Sequence, residues 1–179
     1  MFKTTLCGLL VAVTSMAAIA NEALIPIPSL NVARYMGTWH EIAKYPNFFQ
    51  RKCTSNTVAQ YSAQADGTVR IFNSCTQEDG KAIDAQGQAR QIGDATSPKL
   101  EVRFAPAWLS FLPFVWGNYW VIDIDPDYQL VAVSEPKREY LWVLSRTPTV
   151  NAKAYDELLS RLRAKQLDTS KLERTRQGP

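Results

Sequence analysis

Residues 31–45, N-V-A-R-Y-M-G-T-W-H-E-I-A-K-Y, decide the fold of this chain. The first part can form a single helical turn, Gly37 then allows a sharp bend that a side chain would hinder, and Trp39 opens an alternating strand. A tryptophan at the start of a first strand suits the closed end of a small barrel, although a core tryptophan in any antiparallel sheet gives the same pattern. Because side chains alternate between the faces of a strand, we expect Trp39 to share its face with Glu41, Ala43 and Tyr45, and the other face to carry His40, Ile42 and Lys44.

Short alternating segments follow this stretch almost without interruption. Residues 100–104, L-E-V-R-F, show the clearest alternation, and Asp66-Gly67 is a strong hairpin turn. Besides the first strand, the sequence predicts strands over residues 57–61, 69–73, 86–92, 100–104, 120–124, 130–134 and 140–145. Eight short strands joined largely by hairpin-like turns indicate an all-β antiparallel barrel or sandwich.

One amphipathic helix is predicted after the last of these strands, over about residues 151–165. Asn151 is a suitable N-cap, and Tyr155, Leu158, Leu159 and Leu162 recur at helical spacing, which gives one apolar stripe. The stripe predicts that the helix packs on the outside of the sheet. A last short strand is expected near residues 171–176.

The N-terminal residues have the features of a secretory signal peptide. Lys3 supplies the positive charge, residues 6–13 form a short apolar run, and Ala18 and Ala20 form a small-residue cleavage site. Cys7 lies early in the apolar run, so it is interpreted as part of the removed peptide, with lipoprotein anchoring as the alternative. We therefore expect an exported protein of the periplasm or cell envelope, with a signal peptide over 1–20, an extended lead-in over 21–30 and a barrel domain over 31–179.

Composition and cysteine count exclude several function classes. The 20 Lys and Arg balance 17 Asp and Glu and are interspersed with them, so no basic stripe predicts a nucleic-acid partner. Cys53 and Cys75 remain after signal removal, and in an oxidising compartment they predict one disulfide, with two separate buried thiols as the alternative. His40 has no nucleophile or metal-ligand partner at a recognisable spacing. We read no active site, no metal site and no cofactor.

Three segments together resemble the sequence motifs of the lipocalin family. They are R-Y-M-G-T-W-H-E-I-A at 34–43, Y-W-V-I-D-I-D-P-D-Y at 119–128 and Y-L-W-V-L-S-R-T-P at 140–148. The resemblance is to the group that contains bacterial outer-membrane lipocalins, plant temperature-induced lipocalins and apolipoprotein D, and it covers about residues 30–176. It implies an eight-stranded up-and-down β-barrel with one C-terminal helix packed outside. It also implies that Gly37, Trp39 and Arg146 close one end, with Arg146 packed across Trp39.

The resemblance, combined with strand alternation, implies a set of side chains that face a ligand cavity. The set is mostly apolar and suits an aliphatic chain, and two of its three tyrosines are expected near the mouth, where their hydroxyls can meet a polar headgroup. A β-bulge would invert the alternation locally. The expected inward residues are Ala59, Tyr61, Val69, Ile71, Leu100, Val102, Phe104, Tyr119, Val121, Leu130, Ala132, Tyr140, Trp142 and Leu144.

Two connections carry aromatic residues that a solvent-exposed loop does not need. Phe48 and Phe49 could form a lid over the cavity or pack into the core. In the connection A-P-A-W-L-S-F-L-P-F-V-W-G, residues 105–117, the apolar residues predict contact with a membrane interface or with a second copy in a homodimer, with folding back over the barrel mouth as the alternative. They are Trp108, Leu109, Phe111, Leu112, Phe114 and Trp116.

These features predict an exported lipocalin that binds a fatty acid or lysophospholipid for transport, storage or scavenging in the cell envelope. One alternative is an envelope interaction protein that acts through residues 108–116. A lipid-modifying enzyme is a second alternative, and loss of turnover on replacing Glu41 or Cys75 would favour it.

Overall fold

The computed structural model describes residues 22–106, 109–110 and 112–178. The expected signal peptide, Trp108 and Phe111 therefore lie outside the described residues. The helices are α1 (Val32–Tyr35) and α2 (Ala152–Ala164). The strands are β1 (Gly37–Lys44), β2 (Ser55–Ala63), β3 (Val69–Thr76), β4 (Ala82–Gln91), β5 (Lys99–Arg103), β6 (Gly117–Ile124), β7 (Leu130–Ser134), β8 (Leu141–Ser145) and β9 (Glu173–Arg174). Short 3₁₀ turns span Phe48–Gln50, Pro113–Val115 and Thr169–Lys171.

Strands β1 to β8 form one closed antiparallel barrel. Each strand pairs with the next, β8 pairs with β1, and β9 adds a short ninth strand alongside β1. This topology confirms the predicted eight-stranded barrel. Because α1 leads directly into β1, it lies at one end, which we call the closed end. The connections 45–54, 77–81, 104–116 and 135–140 all lie at the opposite, open end, since the strands alternate in direction.

Helix α2 packs on the outside of the barrel, as its apolar stripe predicts. The side chain of Asn151 caps it by accepting a hydrogen bond from the backbone of Ala154. Leu158 and Leu162 are fully buried in an outer core against the outward faces of β1, β6, β7 and β8. Arg161 adds a two-pronged ion pair to the Asp123 carboxylate of β6, at 2.8 and 2.9 Å. No helix in the described part of the chain is long and apolar enough to cross a membrane.

A β-bulge in β1 changes which side chains enter the barrel. The register with β8 shifts between Glu41 and Ala43, so Lys44 lies opposite Trp142, whose side chain packs against the interior core. Ala43 and Tyr45 belong to the outer core, and the expectation that they share the face of Trp39 is therefore wrong. The extra residue at the bulge inverts the alternation beyond it and brings Lys44 inside.

Strand β7 also has the opposite orientation from the one expected. Leu130 and Ala132 were expected to face the ligand cavity, but both lie in the outer core beneath α2. Val131 and Val133 face the barrel interior instead. Every residue of β7 is buried, because the helix covers its outer face as the barrel covers its inner one. The strand is apolar on both faces up to Ser134, whose hydroxyl is itself buried and donates to the Tyr140 carbonyl, so the residue pattern does not reveal its orientation.

The C-terminal tail fills a gap between the first two strands. β1 and β2 pair only near the closed end, from Gly37 with Tyr61 to His40 with Val58. Toward the open end they separate, and Thr175 donates its backbone N–H to Ile42 at 3.0 Å. The Gln177 amide then bridges the two strands by donating to the backbone carbonyl oxygens of Glu41 at 2.8 Å and Thr57 at 2.9 Å. The tail thus completes the barrel wall.

Candidate ligand-binding site

The closed end is sealed by Trp39 and Arg146. Trp39 is fully buried, and the guanidinium carbon of Arg146 lies 3.8 Å from the centre of its indole ring. Arg146 also donates to the backbone oxygens of Thr38 at 2.9 Å and Arg34 at 2.7 Å. Gly37 adopts a φ of +97°, and a Cβ there would come 3.3 Å from the guanidinium. A glycine therefore suits this bend on both conformational and steric grounds.

Three tyrosines fill the interior just above this seal. The Tyr119 hydroxyl lies 2.8 Å from that of Tyr35 and 3.0 Å from that of Tyr61. Burial raises the pKa of all three, that of Tyr61 to about 12, so the hydroxyls stay neutral at physiological pH. Tyr61 and Tyr119 therefore lie in the closed half, and the expectation of two tyrosines near the mouth is wrong, since Tyr140 alone of the expected three lies there.

The closed half has no room for an aliphatic chain. The cavity beside the tyrosines measures about 20 Å³, which is enough for roughly one water molecule. The inward side chains of this half pack into one core against the tyrosines. Those expected from the sequence are Val69, Ile71, Leu100, Val102, Val121 and Leu144.

The open half, in contrast, is lined by small side chains. Asn73 pairs with Ala85 across β3 and β4, and the next inward pair joins Ile71 to Gly87. Ala59 of β2 lies beside them, opposite Asn73. Ala85 is exposed, while Ala59, Asn73 and Gly87 are partly so, which indicates an open space. We call this upper interior, bounded by Ala59, Asn73, Ala85, Gly87 and Trp142, the open cup.

Phe104 lines the open cup, because its ring lies over Gly87. It follows the last residue of β5 and lies on the inward face, as expected from the alternation with Leu100 and Val102, but it is 47% exposed. A Cβ at Gly87 would lie 2.8 Å from two ring carbons of Phe104. The ring therefore occupies the place that a side chain at position 87 would need, at the edge of the mouth.

Aromatic side chains run from the surface into the cup on its other side. Phe48 and Phe49 are 66% and 63% exposed, with ring centres 4.0 Å apart, so they do not pack into the core. The ring centres of Phe49 and Tyr140 lie 5.6 Å apart, and Tyr140 stacks on Trp142 with their ring centres 5.8 Å apart. This continuous aromatic series gives a ligand an apolar path from the rim to the interior.

The connection 104–116 divides between the rim and the outer wall. Phe114 is 79% exposed, and Leu109 and Leu112 are partly buried. Trp116 lies on the outside of the barrel, with the guanidinium carbons of Arg90 and Arg103 at 4.1 and 5.2 Å from its ring centre. Its indole is thus engaged by two cations, which leaves Phe114 as the most exposed described aromatic of this segment.

A polar cluster lies inside the barrel toward the open end. Glu41 is buried, and its two carboxylate oxygens accept hydrogen bonds from the Gln50 amide and the Thr175 hydroxyl. The Trp142 indole N–H donates to the other end of the Gln50 amide at 2.9 Å. Lys44 lies above Glu41, with its ammonium 3.7 Å from the carboxylate. Sequence alternation anticipated Glu41 inside but missed Lys44, because no sequence pattern marks the bulge that turns it inward.

Two further polar atoms in this region have no hydrogen-bond partner among the described residues. They are the Thr57 hydroxyl and the amide oxygen of Asn73, both buried. Burying a polar atom without a partner is costly, so such atoms need water or ligand groups to complete their hydrogen bonding. Thr57 lies beside the polar cluster, since the Gln177 amide bridges its backbone to that of Glu41, and this polar wall adjoins the aromatic one at Trp142, which donates to Gln50.

A disulfide fixes one side of the mouth. Cys53 and Cys75 are bonded, with Cα atoms 5.5 Å apart, which confirms the predicted pairing. The bond ties the connection that carries Phe48 and Phe49 to strand β3. It also means that neither cysteine is present as a thiolate nucleophile.

Comparison with known proteins gives consistent matches over this whole domain. A family model described as a lipocalin-like domain matches residues 30–177. Temperature-induced lipocalin-1 of Arabidopsis thaliana is 40% identical over 154 residues, which is 85% of this chain and 82% of that protein. Outer membrane lipoprotein Blc of Escherichia coli K12 is 36% identical over 81% of this chain and 78% of its own length. Apolipoprotein D of Macaca fascicularis is 29% identical over 78% and 72%.

Solved structures show the same fold. Insecticyanin from the tobacco hornworm Manduca sexta superposes with a TM-score of 0.62 and 19% identity, over 84% of this chain and 82% of that one. At this level of identity the likeness concerns the fold alone.

Proposed function

We propose that this protein, which belongs to the lipocalin family, binds a fatty acid or a lysophospholipid in the open cup. Members of the family bind small hydrophobic ligands. The observation that carries the proposal is the contrast between the two halves of the barrel. The closed half is filled to a residual cavity of about 20 Å³, whereas Ala59, Asn73 and Ala85 in the upper half are small and at least partly exposed. An acyl chain too long for the cup would remain partly at the rim, against the exposed rings of Phe48 and Phe49.

The proposed role is that of a carrier, for lipid transport, storage or scavenging in the cell envelope, and not that of an enzyme. The signal-like segment 1–20 supports export, and one bacterial relative is named an outer membrane lipoprotein. The interior supports carriage over catalysis, because the Glu41 carboxylate is held by Gln50 and Thr175 and the two cysteines form a disulfide.

The first test is to identify what the purified protein carries. Native mass spectrometry with lipid extraction should show one single-chain lipid per barrel, and a fluorescent fatty acid should bind with the same stoichiometry. Replacing Ala85 with tryptophan should lower this affinity by at least about tenfold, because the indole would occupy the cup at a cost of roughly 1.4 kcal/mol or more. Ala95→Trp, in the exposed connection 92–98 at the closed end, is the matched control. A barrel that takes up no lipid, or an Ala85→Trp variant that binds normally, would contradict the proposal.

A second proposed activity is peripheral contact with a membrane through the aromatic rim, which would pass lipid to the cup. The specific observation is that Phe48, Phe49 and Phe114 are all strongly exposed at the same open end. Aromatic rings favour the interfacial region of a bilayer, and exposed apolar clusters mark interaction surfaces.

Replacing Phe48, Phe49 and Phe114 together with serine should reduce binding to liposomes by about tenfold or more, since each ring contributes apolar area worth on the order of 1 kcal/mol. Flotation of the protein with vesicles measures this, and Ile92→Ser at the closed end is the control. Trp116 is left intact because its ring holds Arg90 and Arg103. Unchanged flotation would exclude membrane contact by these residues. If light scattering instead showed a dimer that the triple variant lacks, the rim would be a homodimer interface.

A further inference from the structure

We propose that Lys44 binds the acidic headgroup of the ligand at the mouth of the barrel. This inference rests on the proposed function and deepens it. The shared chemistry is an anionic oxygen group on a single acyl chain, either the carboxylate of a fatty acid or the phosphate of a lysophospholipid.

The position of Lys44 is unusual for a lysine at a strand end. It is the last residue of β1 and lies opposite Trp142, on the inward face, as a result of the bulge. Only 12% of its side chain is exposed. Lysine side chains rarely accept such burial unless an anion or other acceptor compensates for the lost hydration.

No residue that the structure describes supplies this compensation in full. The one ion pair that the described residues give the ammonium is with Glu41, and its 3.7 Å is too long for a hydrogen bond. An ammonium carries three donors. Glu41 does not need them, because Gln50 and Thr175 already donate to its two oxygens. The charge of Lys44 is thus partly balanced while its hydrogen-bonding capacity is unused.

The same arrangement sets the orientation of the ligand. Glu41 lies deeper in the barrel than Lys44, since β1 runs from the closed end toward the open end. An anionic group is attracted by the ammonium and repelled by the carboxylate beneath it, so it stays at the mouth. Below it, an acyl chain would lie against the small side chains of Ala59 and Ala85 in the open cup and end above the filled closed half. The headgroup therefore lies at the rim and the tail points into the barrel.

Substitution of Lys44 tests this assignment with three ligands that share one acyl chain. Titration calorimetry would measure oleic acid, oleoyl lysophosphatidic acid and oleyl alcohol against the wild type, Lys44→Met and Lys44→Arg. Lys44→Met should weaken the two acids by about 10- to 100-fold, the range expected for hydrogen bonds to a charged group, and leave the alcohol within about twofold. Lys44→Arg should retain most of the affinity. Lys153→Met, on the exposed surface of α2, is the control.

The variants also separate headgroup binding from a general effect on the barrel. Glu41→Gln/Lys44→Met avoids leaving the carboxylate without a counter-charge and should still bind the acids more weakly than the wild type, but less weakly than Lys44→Met, because the repelling carboxylate is also gone. Glu41→Gln alone should bind them several-fold more tightly. The acid whose affinity depends more strongly on Lys44 identifies the headgroup source. Equal losses of affinity for the acids and the alcohol, or no loss for either acid, would overturn the role assigned to Lys44 but leave the proposed function standing. A wild type that binds none of the three ligands would overturn the proposed function and this inference with it.

Discussion

Replacement of Arg146 with alanine should lower the free energy of unfolding by about 2–4 kcal/mol, while ligand affinity stays within about twofold. The guanidinium contributes a cation–π contact with Trp39, worth roughly 0.5–2 kcal/mol at such sites. It also donates to the backbone oxygens of Thr38, Arg34 and Tyr128. Each of these hydrogen bonds adds about 1 kcal/mol net, and because part of the group is exposed, water can replace some of them.

Two further substitutions separate the contributions of the cation–π contact and of the hydrogen bonds to this loss of stability. Arg146→Lys keeps the charge over the indole but cannot donate to three carbonyls from a planar fork, so it should recover less than half of the loss. Trp39→Phe keeps an aromatic face but loses the indole hydrogen bond to the Tyr35 carbonyl, which is 2.8 Å long. Urea unfolding measures the free energy of unfolding of Arg146→Ala, Arg146→Lys and Trp39→Phe. Arg70→Ala, which removes an exposed arginine on β3, is the control.

We expect these substitutions to change stability without changing ligand binding, because the Trp39–Arg146 pair and the open cup lie at opposite ends of the barrel. Trp39 and Arg146 lie at the closed end, and the tyrosine layer fills the interior between them and the open cup. Variants with an unchanged unfolding midpoint and lost ligand binding would show that the pair acts on the site and not on the fold. A loss of stability with binding retained is the result that a structural role requires.

The closing pair could be predicted only through the resemblance to the lipocalin motifs, because Trp39 and Arg146 are 107 residues apart in the chain. Gly37 and Trp39 stand two residues apart, and the segment that ends in Arg146 has its own strand alternation. The turns and the helix, in contrast, could be predicted from local sequence, since Asn151 caps α2 next to a clear apolar stripe. Local rules of this kind hold wherever one face of an element is buried and the other is solvated.

The orientation of β7 and the inward position of Lys44 could not be predicted, for two different physical reasons. Leu130 and Ala132 belong to a strand buried on both faces, so alternation carries no information there. Lys44 follows a β-bulge in β1. The bulge shifts the register of β1 against β8 by one residue, and this shift is visible only once the two strands are paired. A shift of one residue exchanges the inward and outward sets, which removes a charged residue from the predicted surface and adds it to the site.

The partners of Glu41 depend on contacts that are remote in sequence. Gln50 comes from the first connection at the open end, and Thr175 from the tail beside β9. The tail reaches Glu41 because β1 and β2 separate toward the open end, and no residue pattern announces that separation. The polar half of the candidate site thus exists only after the barrel has closed, whereas strand alternation anticipated Ala59 and Trp142 of its apolar half but not Ala85 or Gly87.

Loss of the Cys53–Cys75 disulfide should lower the free energy of unfolding by about 3 kcal/mol. The bond closes a chain segment with a sequence separation of 22 residues. In the chain-entropy account a loop of this length restricts the unfolded state by roughly that amount. Cys75 is buried, so Cys53→Ala/Cys75→Ala would add a small cavity term. Reduction of the wild type, in which the reductant supplies two electrons and two protons are taken up, breaks the bond and keeps both sulfur atoms in place.

Urea unfolding of the wild type with and without reductant therefore measures the contribution of the bond itself, and the stability of the double alanine variant should equal that of the reduced protein or lie slightly below it.

Ligand binding should respond as well, because the disulfide tethers the connection that carries Phe48, Phe49 and Gln50 to β3. Gln50 donates to Glu41 and accepts from Trp142, so greater freedom there loosens the wall of the cup that contains Lys44. We expect a loss of ligand affinity of about threefold to tenfold, or roughly 0.7–1.4 kcal/mol. An unfolding midpoint that does not move on reduction would mean that this connection is held by its side-chain contacts alone, and the proposed dependence of the cup on the disulfide would then be wrong.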